Sequence, residues 1–484
     1  MSSVMPLAPV ILWFRNDLRL ADHAALHAAL ETGRPVLPVF LLDDAAPGSS
    51  ASWDAPGAAS RWWLHHSLTA LAAALADAGA PLILRRGAAA ATLAALARET
   101  GADAVFAGAA IEPGGRARER EVATSLASAA VALRRFRTGS MFPPDAIRTG
   151  AGTGFSVYTP FARAAYAAGG PPGPRPAPAR IPAPAAPASD TLADWALLPT
   201  GPDWAGGLRA TWTPGEEGAR ARLARFLDTA LPTYAATRDA AGQEGTSRLS
   251  PHLHFGEISM AQAWHAATGD TVGAEKFRAE LLWREFALHQ LWHHPDLPTT
   301  PLRAQFAAMP WRDDPTALRA WQRGRTGIPL VDAGMRELWH TGWMHNRVRM
   351  VAASFLVKHL LLPWQAGEAW FWDTLVDADL AANAASWQWV AGCGADAAPY
   401  FRVFNPVLQG RKFDPDGAYV RRYVPELARL ETAYLHAPWE APAAALARAG
   451  IVLGRDYPAP IVDLAAGRAR ALAAHAALTA SAAA

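Results

Sequence analysis

The run "VILWF" (Val10–Phe14) contains only apolar residues and is followed at once by Arg15 and Asp17. A short apolar run bounded by charged residues is typical of a buried strand, and it lacks the basic start of a signal peptide. Three further runs, "PVLPVFLLD", "PLILRRG" and "DAVFAG", are separated by alanine- and leucine-rich stretches of helical character. This alternation predicts an α/β domain with a mainly parallel sheet over residues 5–138.

The chain changes character after this domain. Residues 169–190, "GGPPGPRPAPARIPAPAAPASD", consist mainly of proline, alanine and glycine, which do not support a regular helix or strand. They indicate a connection over the surface, which we extend to residues 139–217. Beyond it, long helical patterns with few strand signals predict an all-helical domain over residues 218–476, and this domain should contain the functional site.

The segment "AEKFRAELLWREFALHQLWHH" (residues 274–294) illustrates this helical pattern. Phe277 and Leu281 begin an apolar stripe, whereas Glu280 and Arg284 lie on another face together with Trp283. Because Glu280 and Arg284 are four residues apart, an exposed ion pair within one helix is the simplest interpretation of both side chains.

The composition excludes several classes of protein. A chain of 484 residues with 51% hydrophobic and 18% charged residues is globular and is long enough for two domains. Its net charge of +2 restricts any nucleic-acid surface to a local patch. Cys393 is the only cysteine, so an intramolecular disulfide and a CxxC metal site are impossible. We predict no bound metal and no membrane-spanning segment, and we expect a cytoplasmic location.

The stretch "VDADLAANAASWQW" (Val376–Trp389) combines helix-forming alanines with polar and aromatic residues. Asp379, Asn383 and Trp387 are four residues apart and would lie along one helix face, at ~100° per residue. Gly392 and Gly394 indicate that the helix ends soon after Trp389. From these residues alone, a helix cap followed by core tryptophans is as good an interpretation as a binding site.

Several motifs, in order along the chain, resemble those of the photolyase and cryptochrome family, specifically of its class I cyclobutane pyrimidine dimer photolyases. The first resembles the opening strand and loop of that family, and the others resemble its cofactor and substrate segments. They are "LWFRNDLRLADHAAL", "EGTSRLSPHLHFGEIS", "ELLWREF", "GWMHNRVRM", "DADLAANAASWQW" and "DAAPYFRVFNP".

The resemblance implies a Rossmann-like α/β antenna domain joined to a helical domain that binds a folded FAD. It also implies an activity, the light-driven repair of cyclobutane pyrimidine dimers in UV-damaged DNA by electron transfer from excited, reduced FAD. Hydroxyls, backbone amides and an arginine at a helix start suit the FAD phosphates, and an amide at Asn383 suits flavin N5. We expect Arg349 to pair with Asp377. The implied FAD-binding residues are Tyr234, Thr246, Ser247, Arg248, Leu249, Ser250, Arg349, Asp377, Ala378, Asp379 and Asn383.

Two further groups of residues follow from the resemblance. Trp387, Trp364 and Trp311 match an electron relay from the flavin to the surface, and Glu280 matches the carboxyl that contacts the dimer. Together with Asn383, these are the implied catalytic residues. The implied substrate and DNA contacts are Arg238, Glu280, Trp283, Arg284, Asn346, Arg347, Met350, Trp389, Arg402 and Gln409.

Three related functions compete. The (6-4) photolyases usually carry a histidine-rich version of the segment that contains Asn346 and Met350, so those residues favour cyclobutane dimers. A cryptochrome photoreceptor would bind FAD without repair, and the set formed by Glu280, Trp283, Met350 and Trp389 argues against it. We therefore expect a DNA-repair enzyme whose partner is damaged DNA. We also expect the protein to be a monomer.

A second, antenna chromophore is also implied, without a fixed identity. Folate-binding members often carry an Asn-Glu pair where this chain has Gly114 and Gly115, and Pro298 and Thr299 also differ from the residues that help bind folate. Folate is therefore disfavoured. A deazaflavin, a second flavin or no antenna remain as alternatives, since Ala110 stands where deazaflavin-type members commonly have an acidic residue.

Overall fold

A computed structural model describes residues 7–43, 53, 55–397 and 401–483 of the chain. The first two residues of the predicted α/β domain, and residues 398–400 of the "DAAPYFRVFNP" motif, lie outside the described residues.

The N-terminal part is a five-stranded parallel sheet of order β3-β2-β1-β4-β5. Because the order reverses direction on either side of β1, this is a Rossmann-like sheet, and the predicted α/β fold class is confirmed. The strands are β1 (Val10–Phe14), β2 (Val36–Leu42), β3 (Ile83–Arg86), β4 (Ala104–Gly108) and β5 (Ala132–Phe136).

Helices cover both faces of the sheet. Alternate residues of β1 point to opposite faces, and both sets are buried, so Leu12 belongs to one core cluster and Ile11 to another. Leu26 and Trp62 pack on the first face, and Leu93 packs on the second. The covering helices are α1 (Ala24–Glu31), α2 (Ala58–Asp77), α3 (Ala89–Thr100) and α4 (Pro113–Ser128).

The predicted connection contains short helices on either side of its proline-rich part. These are α5 (Tyr158–Ala167), a 3-10 turn (Ala193–Trp195) and α6 (Gly206–Thr211). Residues 169–190 contain no regular element, yet they run against the α/β domain, where Val36 N donates to Pro182 O at 2.7 Å and Ile181 N donates to Ala78 O at 2.8 Å.

The C-terminal part is mostly helical, with one isolated bridge between Leu453 and Tyr457 among the described residues. Its longer helices are α7 (Glu216–Thr229), α8 (Tyr234–Thr237), α9 (Ser250–His254), α10 (Met260–Ala266), α11 (Val272–His293), α12 (Pro315–Gln322), α13 (Pro329–Thr341), α14 (Asn346–Ser354), α15 (Trp364–Thr374), α16 (Leu380–Ala391), α17 (Pro406–Phe413), α18 (Ala418–Tyr423), α19 (Thr432–Leu435), α20 (Ala443–Ala449) and α21 (Leu464–Ala483). A π-helical turn (Phe355–His359) continues α14, and 3-10 turns occur at Leu231–Thr233, Ala304–Ala308, Pro425–Leu427 and Pro438–Glu440. None of the described helices combines the length and the apolar character that crossing a bilayer requires.

Helix α16 begins and ends as the sequence predicts. The Asp379 carboxylate accepts a hydrogen bond from Ala382 N at 2.9 Å and so caps the helix. Gly392 follows the last turn with a φ of 95°, a left-handed conformation that glycine adopts without a steric penalty. The helix packs against α11 and α15, and this contact brings three segments of the predicted site together.

The α/β domain is joined to the helical domain by backbone contacts at the carboxyl end of β1. Leu18 N donates to Phe255 O at 3.0 Å, and the buried Arg19 guanidinium donates to Gly256 O at 2.9 Å. Gly256 has a φ of +66°, and a Cβ there would lie 2.2 Å from the carbonyl oxygen of Asn16. The two chain segments therefore approach each other as closely as a backbone without a side chain allows.

A buried carboxyl fastens the connection to α11. Glu285 accepts backbone hydrogen bonds from Met141 and Phe142, each at 3.0 Å. Burial raises the pKa of Glu285 from 4.5 to about 7, although both hydrogen bonds act in the opposite direction. Between pH 4.5 and pH 7, Glu285 therefore keeps its proton in the folded protein, whereas the same carboxyl releases it in the unfolded chain.

The stability contributed by Glu285 should be present below its unfolded pKa and be lost as pH rises towards 7. Because the folded pKa is raised from 4.5 to about 7, the loss between pH 4.5 and pH 7 should be about 3 kcal/mol. Glu285→Gln should remove this component, which can be measured as the free energy of unfolding at both pH values. The exposed control Glu440→Gln should follow the wild type, and identical pH profiles for Glu285→Gln and wild type would contradict the assignment.

Candidate functional site

An ion pair between α14 and the segment before α16 lies at the centre of the predicted site. Arg349 Nη2 lies 3.0 and 2.8 Å from the two carboxylate oxygens of Asp377, so the expected pair is present. Ser250 Oγ donates to the same carboxylate at 2.5 Å, and Trp343 Nε1 donates to Ser250 Oγ at 3.2 Å. Asp377 is buried, and its carboxylate is held by charged and hydroxyl groups from two separate segments, Arg349 and Ser250.

A second carboxylate lies two residues further along the chain. Asp379 receives Arg284 Nη2 at 2.5 Å, and His254 Nδ1 lies 3.8 Å away. Burial alone would raise the pKa of Asp379, but Arg284 and His254 hold it well below its ordinary range. The structure thus replaces the expected ion pair between Arg284 and Glu280 by one between Arg284 and Asp379.

Asn383 lies one helical turn beyond Asp379 and is also buried. Its Nδ2 donates to the backbone oxygen of Glu368 at 3.1 Å, which fixes the orientation of the amide. The remaining amide oxygen is an acceptor for a ligand N–H.

The "TSRLS" segment enters this site at the start of α9. Arg248 has a positive φ of 50°, and its guanidinium lies 4.8 Å from the ring centre of Trp343. Leu249 is buried, whereas Thr246 and Ser247 are half-buried, and Ser247 Oγ accepts a hydrogen bond from Leu249 N at 3.4 Å. Hydroxyls, a nearby guanidinium and the amides of a helix start suit an anionic diphosphate.

Tyr234 is buried, and its ring meets those of Phe226 and Phe277 edge-on at 5.3 and 5.9 Å. Ala378 is also buried and separates the two aspartates. The donor set, the two charged pairs and the oriented amide fit the phosphates, ribose and ring edge of FAD.

The three tryptophans predicted as a relay lie in one core cluster. Trp387 and Trp364 are buried, and Trp311 is partly exposed at its edge. A Cβ on Gly367, in the first turn after Trp364, would lie 2.1 Å from the Trp387 ring, so α15 packs directly on that indole. Arg312 N donates to Leu361 O at 2.8 Å, which ties the residue after Trp311 to the loop before α15. The last tryptophan of the predicted order is therefore the one nearest the surface, whereas the first two are equally buried.

The predicted substrate residues divide between two neighbouring groups. Glu280 accepts from Arg238 Nη1 at 2.5 Å, so these two predicted contacts form a pair of their own. Trp283 stacks on Tyr158, with ring centres 3.7 Å apart and planes 6° apart. This stacking covers one face of the Trp283 indole with a residue from the connection.

The second group lies on α14 and α16. Arg347 pairs with Asp239 at 2.8 Å, and its Nη1 lies 3.9 Å from Met350 Sδ. Trp389 is half-buried and donates from Nε1 to Asp396 O at 3.1 Å. The other predicted DNA contacts are less enclosed: Asn346 and Arg402 are exposed and Gln409 is half-buried.

A cavity of about 270 Å³ lies between the two domains. It extends from the carboxyl ends of the central strands, next to Trp13 and Arg15, to Asp379 and Arg284. The ion pair between Arg118 Nε and Asp43 Oδ2, at 2.8 Å, lies on its wall. The described part of the chain contains no group of three or more potential metal-ligating side chains.

Sequence reasoning did not single out several residues of this site. Trp343 was part of a quoted motif, and only its position beside "MHNRVRM" could have indicated its contact with Ser250. Tyr158 lies in the connection, far from Trp283 in sequence, and no local pattern relates them. Trp321 contacts Trp387 edge-on, with ring centres 6.2 Å apart, and nothing in its sequence context separates it from other core tryptophans.

Comparison with known proteins agrees with this geometry. Residues 10–183 match the family described as "DNA photolyase", and residues 277–477 match the family described as "FAD binding domain of DNA photolyase". A curated deoxyribodipyrimidine photo-lyase of Agrobacterium fabrum is 50% identical, over 97% of this chain and 98% of that protein. Cryptochrome-1 of Arabidopsis thaliana is 38% identical, over 95% of this chain and 69% of that protein.

Solved structures show the same relationship. A bacterial class III photolyase from Agrobacterium tumefaciens superposes with a TM-score of 0.95 at 49% identity, covering 99% of each chain. A cryptochrome from Synechocystis superposes with a TM-score of 0.88 at 28% identity, covering 98% of this chain and all of that one. The chain therefore belongs to the photolyase and cryptochrome family.

Proposed function

We propose that this protein is a deoxyribodipyrimidine photo-lyase that repairs cyclobutane pyrimidine dimers in DNA under near-UV or blue light, with reduced FAD as cofactor. The observation that carries the proposal is that helices α11, α14 and α16, which lie around the Asp377–Arg349 pair, bear the residues implied for both flavin and dimer. The naming of several relatives as deoxyribodipyrimidine photo-lyases supports the activity.

Bound FAD would supply light absorption and one electron, which returns after the cyclobutane ring opens. The residues of the chain hold and orient it. The "TSRLS" segment binds the diphosphate, the Asp377–Arg349 pair fixes the polar edge of the flavin, and Asn383 presents its amide to N5. Because these groups are held by several hydrogen bonds before the ligand arrives, little reorganisation is needed.

The dimer would be flipped out of the duplex into the adjoining pocket, a property general to photolyases. Trp283 and Trp389 would provide aromatic walls, and the Trp283 wall is stiffened by the Tyr158 ring behind it. Glu280 would hydrogen-bond the bases, with Arg238 holding the carboxylate in position. Met350 would fill the apolar side of the pocket.

DNA would bind mainly through its backbone. Arg347 and the exposed Arg402 supply cationic groups, and Asn346 and Gln409 supply amides beside them. Binding through phosphates should weaken with salt, whereas selection of the lesion should come from its weakened stacking. Arg284 is held at Asp379 on the cofactor side, so we propose that it positions FAD and does not contact DNA.

The subgroup and the rival functions also belong to the proposal. The sequence motifs suggested class I, but similarity to the Agrobacterium class III structure over the whole chain supports class III. A cryptochrome remains the second candidate, because Arabidopsis cryptochrome-1 is 38% identical. The Glu280–Arg238 pair beside Trp283 supports repair over signalling.

An antenna chromophore would have room in the cavity between the domains. We propose the end of this cavity next to Trp13 and Arg15, away from Asp379 and Arg284, as the site of a second ring system. The archaeal photolyase from Sulfolobus tokodaii, whose structure is described with two FAD molecules, is a relative of the same fold with 27% identity. A second flavin or a deazaflavin are the candidates that we favour over folate.

The test is repair of UV-irradiated oligothymidine by the purified, reduced protein under blue light and in darkness. Light-dependent recovery of thymine absorbance is the expected result. Bound FAD without recovery would favour a cryptochrome, and repair restricted to (6-4) lesions would favour a (6-4) photolyase.

Glu280→Gln should lower the repair yield per absorbed photon by about 10-fold, because it removes a charged hydrogen bond to the dimer. Steady-state photolysis with chemically reduced enzyme measures this yield, and a gel-shift assay measures binding to the damaged oligonucleotide. Glu275→Gln is the matched control, since it makes the same change at an exposed position of the same helix. An unchanged yield in Glu280→Gln would count against the role of this carboxyl.

A further inference from the structure

Glu368, in the second turn of α15, is a buried acidic residue whose carboxyl has no oppositely charged partner among the described residues. The residue is 0% exposed, and neither carboxyl oxygen has a hydrogen-bond partner among the described residues. Other buried carboxyls of this domain, such as Glu337 and Asp332, accept hydrogen bonds from tyrosine hydroxyls. An unpartnered carboxylate at such a position would be very costly, whereas a neutral carboxylic acid is not.

The surroundings of Glu368 are the proposed flavin site and relay. Its backbone oxygen holds the Asn383 amide at 3.1 Å. Its neighbour Gly367 lies against the Trp387 indole. Trp364 is four residues earlier on α15, so the Glu368 side chain leaves the helix on the same face as that relay tryptophan. Glu368 thus lies on the helix that holds the Asn383 amide, carries Trp364 and packs on the Trp387 indole.

The surroundings of Glu368 favour the neutral form of its carboxyl. Burial raises its pKa well above the ordinary range of a glutamic acid. From the packed elements, Cys393 after α16 is the described titratable group that interacts with it, and burial raises the pKa of that thiol as well. Lys358, from the π-helical turn, and Arg303 reach Cys393, and burial lowers the pKa of Lys358. Among the residues that the structure describes, no cation therefore contacts the Glu368 carboxyl.

We propose that Glu368 is the internal proton donor of the flavin site. The inference rests on the proposed FAD chemistry. With FAD bound, an electron delivered through Trp387 would create a demand for one proton at flavin N5. Asn383 has no acidic proton to give, and Trp387 would supply only the electron. Glu368 releases the proton from its carboxyl, becomes a carboxylate and regains a proton from solvent afterwards. Asn383, whose amide is held by the Glu368 backbone, would keep the proton donor Glu368 and the acceptor, flavin N5, in a fixed relative position.

The first experiment is the infrared spectrum of the purified holoprotein, in darkness and after illumination, with the carbonyl stretch of a neutral carboxylic acid as readout. A band that shifts when the protein contains carbon-13 glutamate is expected in darkness, and it should decrease on illumination. Glu368→Gln should remove the light-induced change and the contribution of this residue to the dark band, while other buried glutamic acids such as Glu285 keep theirs. Glu285→Gln, the same substitution at another buried acid, should leave the light-induced change intact.

The second readout is the visible spectrum of the flavin, which distinguishes its N5-protonated from its unprotonated one-electron-reduced form. Protonation of flavin N5 should be about 100-fold slower in Glu368→Gln, which is the lower end of the rate factor that a positioned acid contributes. Glu368→Asp should retain part of the rate, because it retains an acid. The proposal is overturned if labelled wild-type protein shows no glutamic acid band that changes with light, a result that does not depend on the folding of any variant. Wild-type proton arrival in Glu368→Gln would overturn it too. Dimer repair by chemically reduced wild type tests the proposed function separately.

Discussion

Replacing Trp387 by phenylalanine should reduce light-driven reduction of oxidised FAD to background, while repair by chemically reduced enzyme continues. Trp387 is the buried indole against which α15 packs, and phenylalanine fills much of its volume without an equally oxidisable ring. The expected split between the two activities follows because only photoreduction needs an electron from the protein. The measurements are flavin absorbance under blue light with an external reductant, and dimer repair after dithionite treatment.

The matched control is Trp321→Phe. Trp321 is equally buried, contacts Trp387 and donates from Nε1 to Ala352 O at 3.0 Å, so its replacement disturbs the same core. It is expected to cost about 1–3 kcal/mol of stability and to leave photoreduction intact. Normal photoreduction in Trp387→Phe, or its loss in both variants, would remove Trp387 from the relay.

The other large effect is expected from Asp377→Asn. The substitution keeps the shape of the side chain but leaves the Arg349 guanidinium without its carboxylate and removes a charged partner of the flavin edge. Losing one charged hydrogen bond costs about 1.5–3 kcal/mol, so FAD affinity should fall by about 10- to 100-fold. Titration of the apoprotein with FAD, followed by quenching of flavin fluorescence, measures the change.

Asp463→Asn provides the comparison for this variant. Asp463 caps α21 by accepting from Ala466 N at 2.7 Å, and asparagine caps helices equally well. Its FAD affinity should equal that of the wild type. If Asp377→Asn binds FAD normally, or if both variants lose it equally, the proposed contact between Asp377 and the flavin is wrong.

Periodicity and spacing predicted those parts of the molecule that depend on neighbours in sequence. The four quoted apolar runs became strands β1 to β4, because a strand buried between helices needs a largely apolar run. The edge strand β5, "ALRRF", is mostly exposed and was not among them. Helix α16 begins at the Asp379 cap and ends before Gly392, as the residue types indicated. Here the cap and the binding-site interpretations of Asp379 turned out to be compatible, since one oxygen caps the helix and the other meets Arg284.

Pairings between distant segments could not be predicted in this way. The spacing of Glu280 and Arg284 favoured a pair within α11, but each side chain has a partner elsewhere, in Arg238 and Asp379 respectively. A local ion pair on a helix surface contributes only a few tenths of a kcal/mol, so tertiary contacts easily override it. The lack of a hydrogen-bond partner for the Glu368 carboxyl among the described residues could not be predicted from the sequence either, because it depends on how several helices pack around it.

The close approach of Gly256 to Asn16 also bears on how such enzymes can be recombined. A chimera that takes its α/β domain from one relative and its helical domain from another joins two surfaces that meet through backbone atoms, with Arg19 inserted between them. Any side chain at position 256, or a different loop path after β1, would force the two halves apart. The α/β and helical halves must therefore match at this contact, which fixes their mutual orientation.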